Sequence, residues 1–279
     1  MKVLVTGAGG QVGRELVEAF AGHDVVAADH ARLDVTDRDA VLQAVTSVGP
    51  DAIVHAAAWT AVDACEGDPD RALAVNALGT RHVVEAARSV GAPVTYLSTD
   101  YVFDGAKPTP YVEWDAPNPR SAYGRSKLGG EAEIDPTSTI VRTSWVCGRH
   151  GPNMVKTILR LAGEHDELAF VHDQRGHPTF AVDLAAAIRQ LVVERRAGTY
   201  HVTNQGAVSW YEFAQSVLEA AGLDPGRVRP IATTDLDPPR PAPRPPNSVL
   251  DNAALRLDGI TLLPHYREPL DRLVAELRA

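Results

Sequence analysis

A doubly wound parallel α/β sheet followed by a smaller carboxyl-terminal lobe is the fold this sequence predicts, on three observations. Short runs rich in Val, Ile and Ala alternate with amphipathic stretches through the first half of the chain. The runs are apolar almost throughout, as strands covered on both faces are. After about residue 145 the alternation loosens and a second region begins. Right-handed crossovers between parallel strands then wind the sheet in both directions.

The elements follow in order. The first strand, 2–6 (KVLVT), runs into a glycine-rich turn and a helix at 11–21. Strands at 24–28 (DVVAA), 51–56 (DAIVHA), 93–98 (PVTYLS) and 138–142 (STIVR) share its apolar character, with helices near 38–48, 69–90 and 121–133 between them. Beyond 145, helices are expected at 152–163, 180–194 and 209–221, and a strand at 199–203. Phe180, Leu184, Ile188, Leu191 and Val192 form one apolar stripe on the second of these helices. The stretch 238–246 (PPRPAPRPP) is too rich in proline for regular structure. It is either a flexible linker or an extended loop pinned over a ligand. Residues 1–145 with about 180–203 read as the sheet domain, and about 146–179 with 204–279 as the lobe.

Composition narrows the function classes. The chain has 279 residues, 44% hydrophobic and 23% charged, enough for a large buried core. Its net charge of −9 argues against generic binding to nucleic acid or anionic membrane, which rests on positive patches. No apolar run reaches the roughly 18 residues a membrane span needs, and the amino terminus reads as a strand, not a signal peptide. A cytoplasmic location is expected. Cys65 and Cys147, without a CxxC pair, read as free thiols, neither a disulfide framework nor a zinc site.

Two constellations carry chemistry. Strand 2–6 enters Thr6-Gly7-Ala8-Gly9-Gly10-Gln11-Val12-Gly13 and then a helix. Small residues let the chain turn tightly and approach a pyrophosphate, which meets the helix N–H groups and dipole. This is the Rossmann-type phosphate turn in its strand–turn–helix context. Asp29, at the end of the second strand, can accept bonds from adenosine ribose hydroxyls, favouring NADH; Arg32 nearby can instead hold a 2′-phosphate, favouring NADPH. Asp34 and Val35 either flank the adenine or belong to a cap. The second constellation is Tyr123-Gly124-Arg125-Ser126-Lys127, preceded by Ser98-Thr99-Asp100 at a strand's carboxyl end. Tyr123 and Lys127 share a helical face. A nearby ammonium lowers a phenol's pKa, making tyrosine a usable proton donor.

The order TGAGGQVG, HAAAWTAVDACE, STDYVFDG and YGRSKLGGE resembles the extended short-chain dehydrogenase/reductase superfamily. More narrowly the chain is similar to the dTDP-4-dehydrorhamnose reductase family, through RTSWVCG, DQRGHPTFAVDLA and RPPNSVLD in the second half. The resemblance implies a dinucleotide-binding Rossmann domain, a substrate-binding lobe, and reduction of a dTDP-linked keto-deoxysugar by NADH or NADPH. It implies Tyr123 as acid–base residue, Lys127 as its tuner and ribose ligand, and Thr99 as the group orienting the carbonyl. Gly7, Gly10, Gln11, Val12, Gly13, Asp29, Asp34, Val35, Ala57 and Ala58, with Tyr123 and Lys127, fall where the family holds the dinucleotide. Thr99, Asp100 and Trp145 fall where it holds the sugar nucleotide. Trp145 is otherwise a core aromatic, Asn76 either a structural and proton-relay residue or an ordinary helix asparagine, and Gln174, His177 and Thr179 either substrate-loop groups or loop polar residues.

Trp59 departs from the histidine common in relatives. Some relatives form magnesium-bridged homodimers; Glu15 is suitably placed, but its co-ligands are not evident, so no metal is expected. The competing readings are another nucleotide-sugar 4-ketoreductase or epimerase, and a catalytically silent reductase-like regulatory subunit. A dehydratase is disfavoured because Asp100 is followed by Tyr101 and not by a second acid.

Overall fold

Val3 and Val5 pack on one side of the first strand and Leu4 on the other, all fully buried. Ala52 and Val54 against Ile53 repeat the pattern, so each strand feeds two cores through its period of two. The structure, a computed structural model, describes residues 1–278. From the amino terminus come β1 (Lys2–Thr6), α1 (Gln11–Ala19), β2 (Asp24–Ala28), α2 (Arg38–Val48), β3 (Ala52–His55), α3 (Val62–Gly67) and α4 (Pro69–Leu73). A π-helical turn, Ala74–Leu78, leads into α5 (Gly79–Val90), then β4 (Val94–Thr99), α6 (Ala122–Glu131) and β5 (Thr139–Thr143). The chain leaves the sheet through β6 (Val146–Cys147), α7 (Met154–Glu164), β7 (Leu168–Val171), β8 (Arg175–Gly176) and β9 (Thr179–Phe180). It returns with α8 (Ala181–Val193) and β10 (Gly198–His201), and ends in β11 (Val208–Ser209), α9 (Trp210–Ala220), β12 (Val228–Ile231), α10 (Ala253–Leu257) and α11 (Arg267–Arg278).

The six-stranded sheet runs β10-β5-β4-β3-β1-β2, and every pair in it is parallel. β1 lies between β2 and β3, so successive crossovers depart in opposite directions from it and open a crevice at the strands' carboxyl ends. α1 and α8 cover one face through Leu16, Leu184, Ile188 and Leu191; α2 and α5 cover the other through Val41, Val45 and Val83. A third core, built on Ile158, Phe213, Val217, Leu218 and Leu270, joins α7, α9 and α11. Among the described residues no helix is long and apolar enough to cross a membrane.

The fold differs from expectation in particulars that have causes. The expected helix at 69–90 is interrupted by the π turn, which carries buried Asn76 at its centre. β12 was hidden by Pro230, which a central strand excludes; here it lies in a two-stranded sheet with β7. The proline stretch is pinned: Ala242 is buried, and a Cβ on Gly105 would lie 2.7 Å from Pro245 Cβ.

Candidate active site

The site is built first from what glycine omits. Gly7 has φ 68°, and a Cβ there would sit 2.6 Å from the Ala57 nitrogen. At Gly13 it would sit 2.1 Å from the Gly7 carbonyl oxygen, so α1 can approach β1 this closely only without side chains. The turn closes by Gly10 N–H donating to Gly7 O at 2.9 Å. α1 begins at Gly10 with no side-chain cap, leaving its first N–H groups to serve an anion.

A cavity of about 630 Å³ opens on this turn, lined also by Asp29, Asp34, Val35, Ala57 and Ala58. Asp29 accepts the Arg32 backbone N–H at 3.0 Å, whereas Arg32 sends its guanidinium to the Ala27 carbonyl at 3.3 Å. Asp34 accepts both N–H and O–H of Thr36, which hold its carboxyl below the usual range.

A second cavity, of about 440 Å³, shares Gly7, Gly10, Ala56 and Ala58 with the first and extends past Gln11, Val12 and Gly13 to Thr99, Asp100, Tyr123, Lys127 and Trp145. α6 starts here because Ser121 caps it, accepting the Gly124 N–H at 3.0 Å. Gly124 is required, since a Cβ would meet the Tyr101 carbonyl oxygen at 2.2 Å. Tyr123 and Lys127 are both buried. Burial pushes the Tyr123 phenol well above its ordinary pKa, with the Thr99 hydroxyl pulling the other way.

The expected lowering of this phenol's pKa by Lys127 is not seen. The ammonium lies 4.1 Å over the Tyr96 ring centroid, and burial brings Lys127 itself down to about 7, opposed by Glu131. Thr99 donates to Asp100 Oδ1 at 3.0 Å and accepts the Tyr101 N–H at 3.2 Å. Among the described residues Asp100 Oδ2 is buried with no hydrogen-bond partner, and burial pushes the carboxyl up to about 6.

The two indoles at this end form a unit. Trp145 has φ 45°, a conformation rarely adopted outside glycine, and its ring stacks on Trp210 at 3.6 Å and 9°. Gly176 leaves room for it, since a Cβ would come within 2.7 Å of the indole. Trp210 was missed from sequence: no spacing links it to Trp145, and both line the second cavity.

Asn76 resolves as a brace. Its Oδ1 accepts the Trp59 N–H at 2.8 Å, and its Nδ2 donates to the Trp59 carbonyl at 3.0 Å and to Ser126 Oγ at 2.9 Å. Gln174, His177 and Thr179 are all buried: Gln174 donates to Thr233 Oγ1 at 2.9 Å and lines a small cavity with the indole pair, and His177 and Thr179 belong to the frame.

The proline strap crosses this end. Arg244 forms a two-pronged pair with Asp63 of α3, one prong at 2.8 Å, and also donates to Ala242 O at 2.7 Å. Asp63 accepts the Ala242 N–H at 3.1 Å as well.

Glu15 does not offer a free carboxylate to a metal ion. Arg149 donates Nε to its Oε1 at 3.0 Å and Nη2 to its Oε2 at 3.2 Å, a bidentate pair that engages both carboxylate oxygens. A chelator is therefore expected to leave turnover and oligomeric state unchanged. A loss of either that magnesium restores would show that Glu15 exchanges Arg149 for the ion.

Known proteins resemble the chain over its whole length. A family model described as RmlD substrate binding domain matches residues 1–279. A dTDP-4-dehydrorhamnose reductase of Streptomyces griseus is 44% identical over 278 residues, covering 96% of this chain and 91% of the relative. A solved dTDP-4-dehydrorhamnose reductase from Bacillus anthracis, in complex with NADP, superposes with a TM-score of 0.94 at 40% identity, covering 99% of both chains. Its counterpart from Clostridium acetobutylicum superposes with a TM-score of 0.96 at 42% identity over 100% of both. With the phosphate turn, the Tyr123–Lys127 helix and the second lobe all inside these matches, the chain belongs to the dTDP-4-dehydrorhamnose reductase family.

Proposed function

We propose that the chain reduces the C4 ketone of dTDP-4-dehydro-L-rhamnose to dTDP-L-rhamnose with NADH or NADPH, as a cytoplasmic enzyme. The observation that carries this reading is the family match over the full chain, together with Tyr123, Thr99 and Lys127 lining a cavity continuous with the glycine turn. The residues fit a dinucleotide: the glycines leave out side chains where backbone and ligand must meet, and the uncapped start of α1 awaits an anion. Residues 1–145 with about 180–203 then act as the dinucleotide domain, and the remainder as the substrate lobe. The family's homodimer belongs to the same reading, though Glu15 gives no support to a magnesium bridge.

NADH or NADPH, when bound, supplies the hydride to the ketone carbon. Tyr123 serves as the acid, donating its phenolic proton to the oxygen as negative charge develops there. The upward pKa shift suits this direction of reaction, because the phenol stays protonated throughout the neutral range. Thr99, whose hydroxyl is donated to Asp100 Oδ1 in the free protein, turns that hydrogen bond to the ketone oxygen and orients the carbonyl. Lys127 offers charge and hydrogen bonds to the cofactor's ribose. The Trp145–Trp210 stack offers an apolar wall to the sugar nucleotide. Contacts to the distant dTDP moiety hold the ketone in place, so a free keto-sugar loses turnover as well as affinity.

The test is nicotinamide oxidation on addition of synthetic dTDP-4-dehydro-L-rhamnose, with C4 stereochemistry read by NMR. Turnover to the L-rhamnose configuration supports the reading. The opposite configuration makes the protein a different nucleotide-sugar 4-ketoreductase, and no turnover with any dTDP-4-keto sugar makes it a silent subunit. Equal catalytic efficiency on the free keto-sugar removes the part assigned to the nucleotide.

The strap gives a separate expectation. Arg244→Ala removes the two-pronged cation that ties the strap to α3 and leaves Asp63 with only the Ala242 N–H and a longer pairing to Arg240. The KM for the sugar nucleotide is expected to rise about tenfold, about 1.4 kcal/mol, with cofactor affinity unchanged. An unchanged KM would mean that the strap is held by its other contacts alone.

A further inference from the structure

The first cavity, which the glycine turn borders, carries a cation to which no role has yet been given. Arg71, on α4, lays its guanidinium 4.5 Å over the Trp59 ring centroid, and both residues line that cavity with Gly7 and Gly10. Its backbone N–H is bound to Asp68 Oδ1 at 3.1 Å, but among the described residues its guanidinium has no carboxylate partner. The acids on the same cavity are engaged elsewhere, Asp29 by the Arg32 backbone and Asp34 by Thr36. Arg32, the cation expected from sequence to meet a 2′-phosphate, is turned back to Ala27 and does not line the cavity.

The platform under Arg71 is fixed. Buried Asn76 holds Trp59 from both its N–H and its carbonyl, so the indole is braced at the backbone. A guanidinium stacked on a braced ring keeps its planar fork of donors directed outward, losing less freedom when it binds than a mobile side chain does. The same cavity opens on Gly9 and Gly10, the turn that leads into the uncapped start of α1. A cation and the phosphate-type turn thus border one cavity, and a guanidinium matches phosphate oxygens in geometry.

We propose that Arg71, held flat on Trp59, is a phosphate-holding residue for the dinucleotide, acting from the cavity that the glycine turn borders. This rests on the reading of the cavity as the dinucleotide site. Two phosphate sources fit, the pyrophosphate and a 2′-phosphate, and the choice of cofactor separates them.

The experiment measures dissociation constants of NADPH, NADH and adenosine by tryptophan fluorescence and by calorimetry, for the full-length protein and for Arg71→Gln and Arg71→Lys. Arg71 is exposed, so neither substitution disturbs a core. Loss of a charge-assisted hydrogen bond predicts roughly ten- to a hundredfold weaker binding in Arg71→Gln, with partial recovery in Arg71→Lys and adenosine unaffected. An equal loss for both dinucleotides assigns Arg71 to the pyrophosphate; a loss for NADPH alone assigns it to the 2′-phosphate. Unchanged dinucleotide affinity overturns the proposal, and so does an equal weakening of adenosine, since Arg71 would then act on the base. If the unaltered protein binds neither dinucleotide, the function itself has failed and not the assignment of Arg71.

Discussion

Tyr123→Phe is expected to lower turnover by about 10²- to 10⁴-fold, the usual share of a positioned general acid, while cofactor affinity stays close to that of the unaltered protein. The substitution keeps the ring, its burial and its edge-to-face contact with Tyr101 at 5.6 Å, and removes only the hydroxyl. Lys127 provides the companion test through pH. Burial disfavours its ammonium, so the charge is present below about pH 7 and is lost as pH rises through that value. If the charge serves catalysis, kcat/KM falls on the alkaline side with an apparent pKa near 7 in the free enzyme. Lys127→Arg is expected to abolish that limb, because a guanidinium remains charged, and to restore only part of the activity, because its fork differs from an ammonium. Lys127→Ala should lose both turnover and cofactor affinity. Steady-state kinetics across pH, with chemistry shown to be rate-limiting, decide the matter. Retention of more than about a tenth of turnover by Tyr123→Phe, against the range expected of a general acid, would sink the proposed mechanism.

What the sequence revealed, and what it withheld, divide by distance along the chain. The glycine turn and the Tyr123–Lys127 pair lie within single local elements, where spacing and turn chemistry act directly. The sheet strands were legible for the same reason, since their apolar runs report burial on both faces. Trp145 stayed open because its meaning depends on Trp210, a partner from another element. Whether the proline stretch was linker or strap was likewise undecidable, because Arg244 meets Asp63 across 181 positions. The π turn left no mark in the apolar pattern, since Asn76 is satisfied by Trp59 and Ser126 from outside its own helix. The direction of the Tyr123 shift was misjudged because a motif gives proximity and not burial. Both groups are deeply buried, and desolvation dominates each.

The other large effect is expected at Glu131, behind the site. Glu131 lies one helical turn after Lys127 on α6 and pairs with Arg142 of β5 through Nε at 2.9 Å and Nη2 at 2.7 Å. Ser98, the residue before Thr99 on β4, donates to the same carboxylate at 2.5 Å. The two side chains are only 5% and 6% exposed, so one buried pair ties the catalytic helix to the strand ends that carry Thr99 and Thr143. Removing one member leaves an uncompensated buried charge, which typically costs about 3–5 kcal/mol. Glu131→Gln is therefore expected to destabilise the fold by that amount in denaturant titrations. It also removes the charge that opposes the downward shift of Lys127, so that pKa is expected to fall below about 7 and carry the alkaline limb of kcat/KM with it. A purely structural role for Glu131 would lower stability without moving that limb. Replacing both partners by apolar residues of similar size, Glu131→Leu with Arg142→Met, is expected to recover much of the lost stability, since neither charge is then left unpaired. It should not restore the limb, because the charge facing Lys127 is still missing. A single variant that loses less than about 1 kcal/mol, the scale of an exposed pair, would show that Arg142 finds another partner and that α6 is held by packing alone.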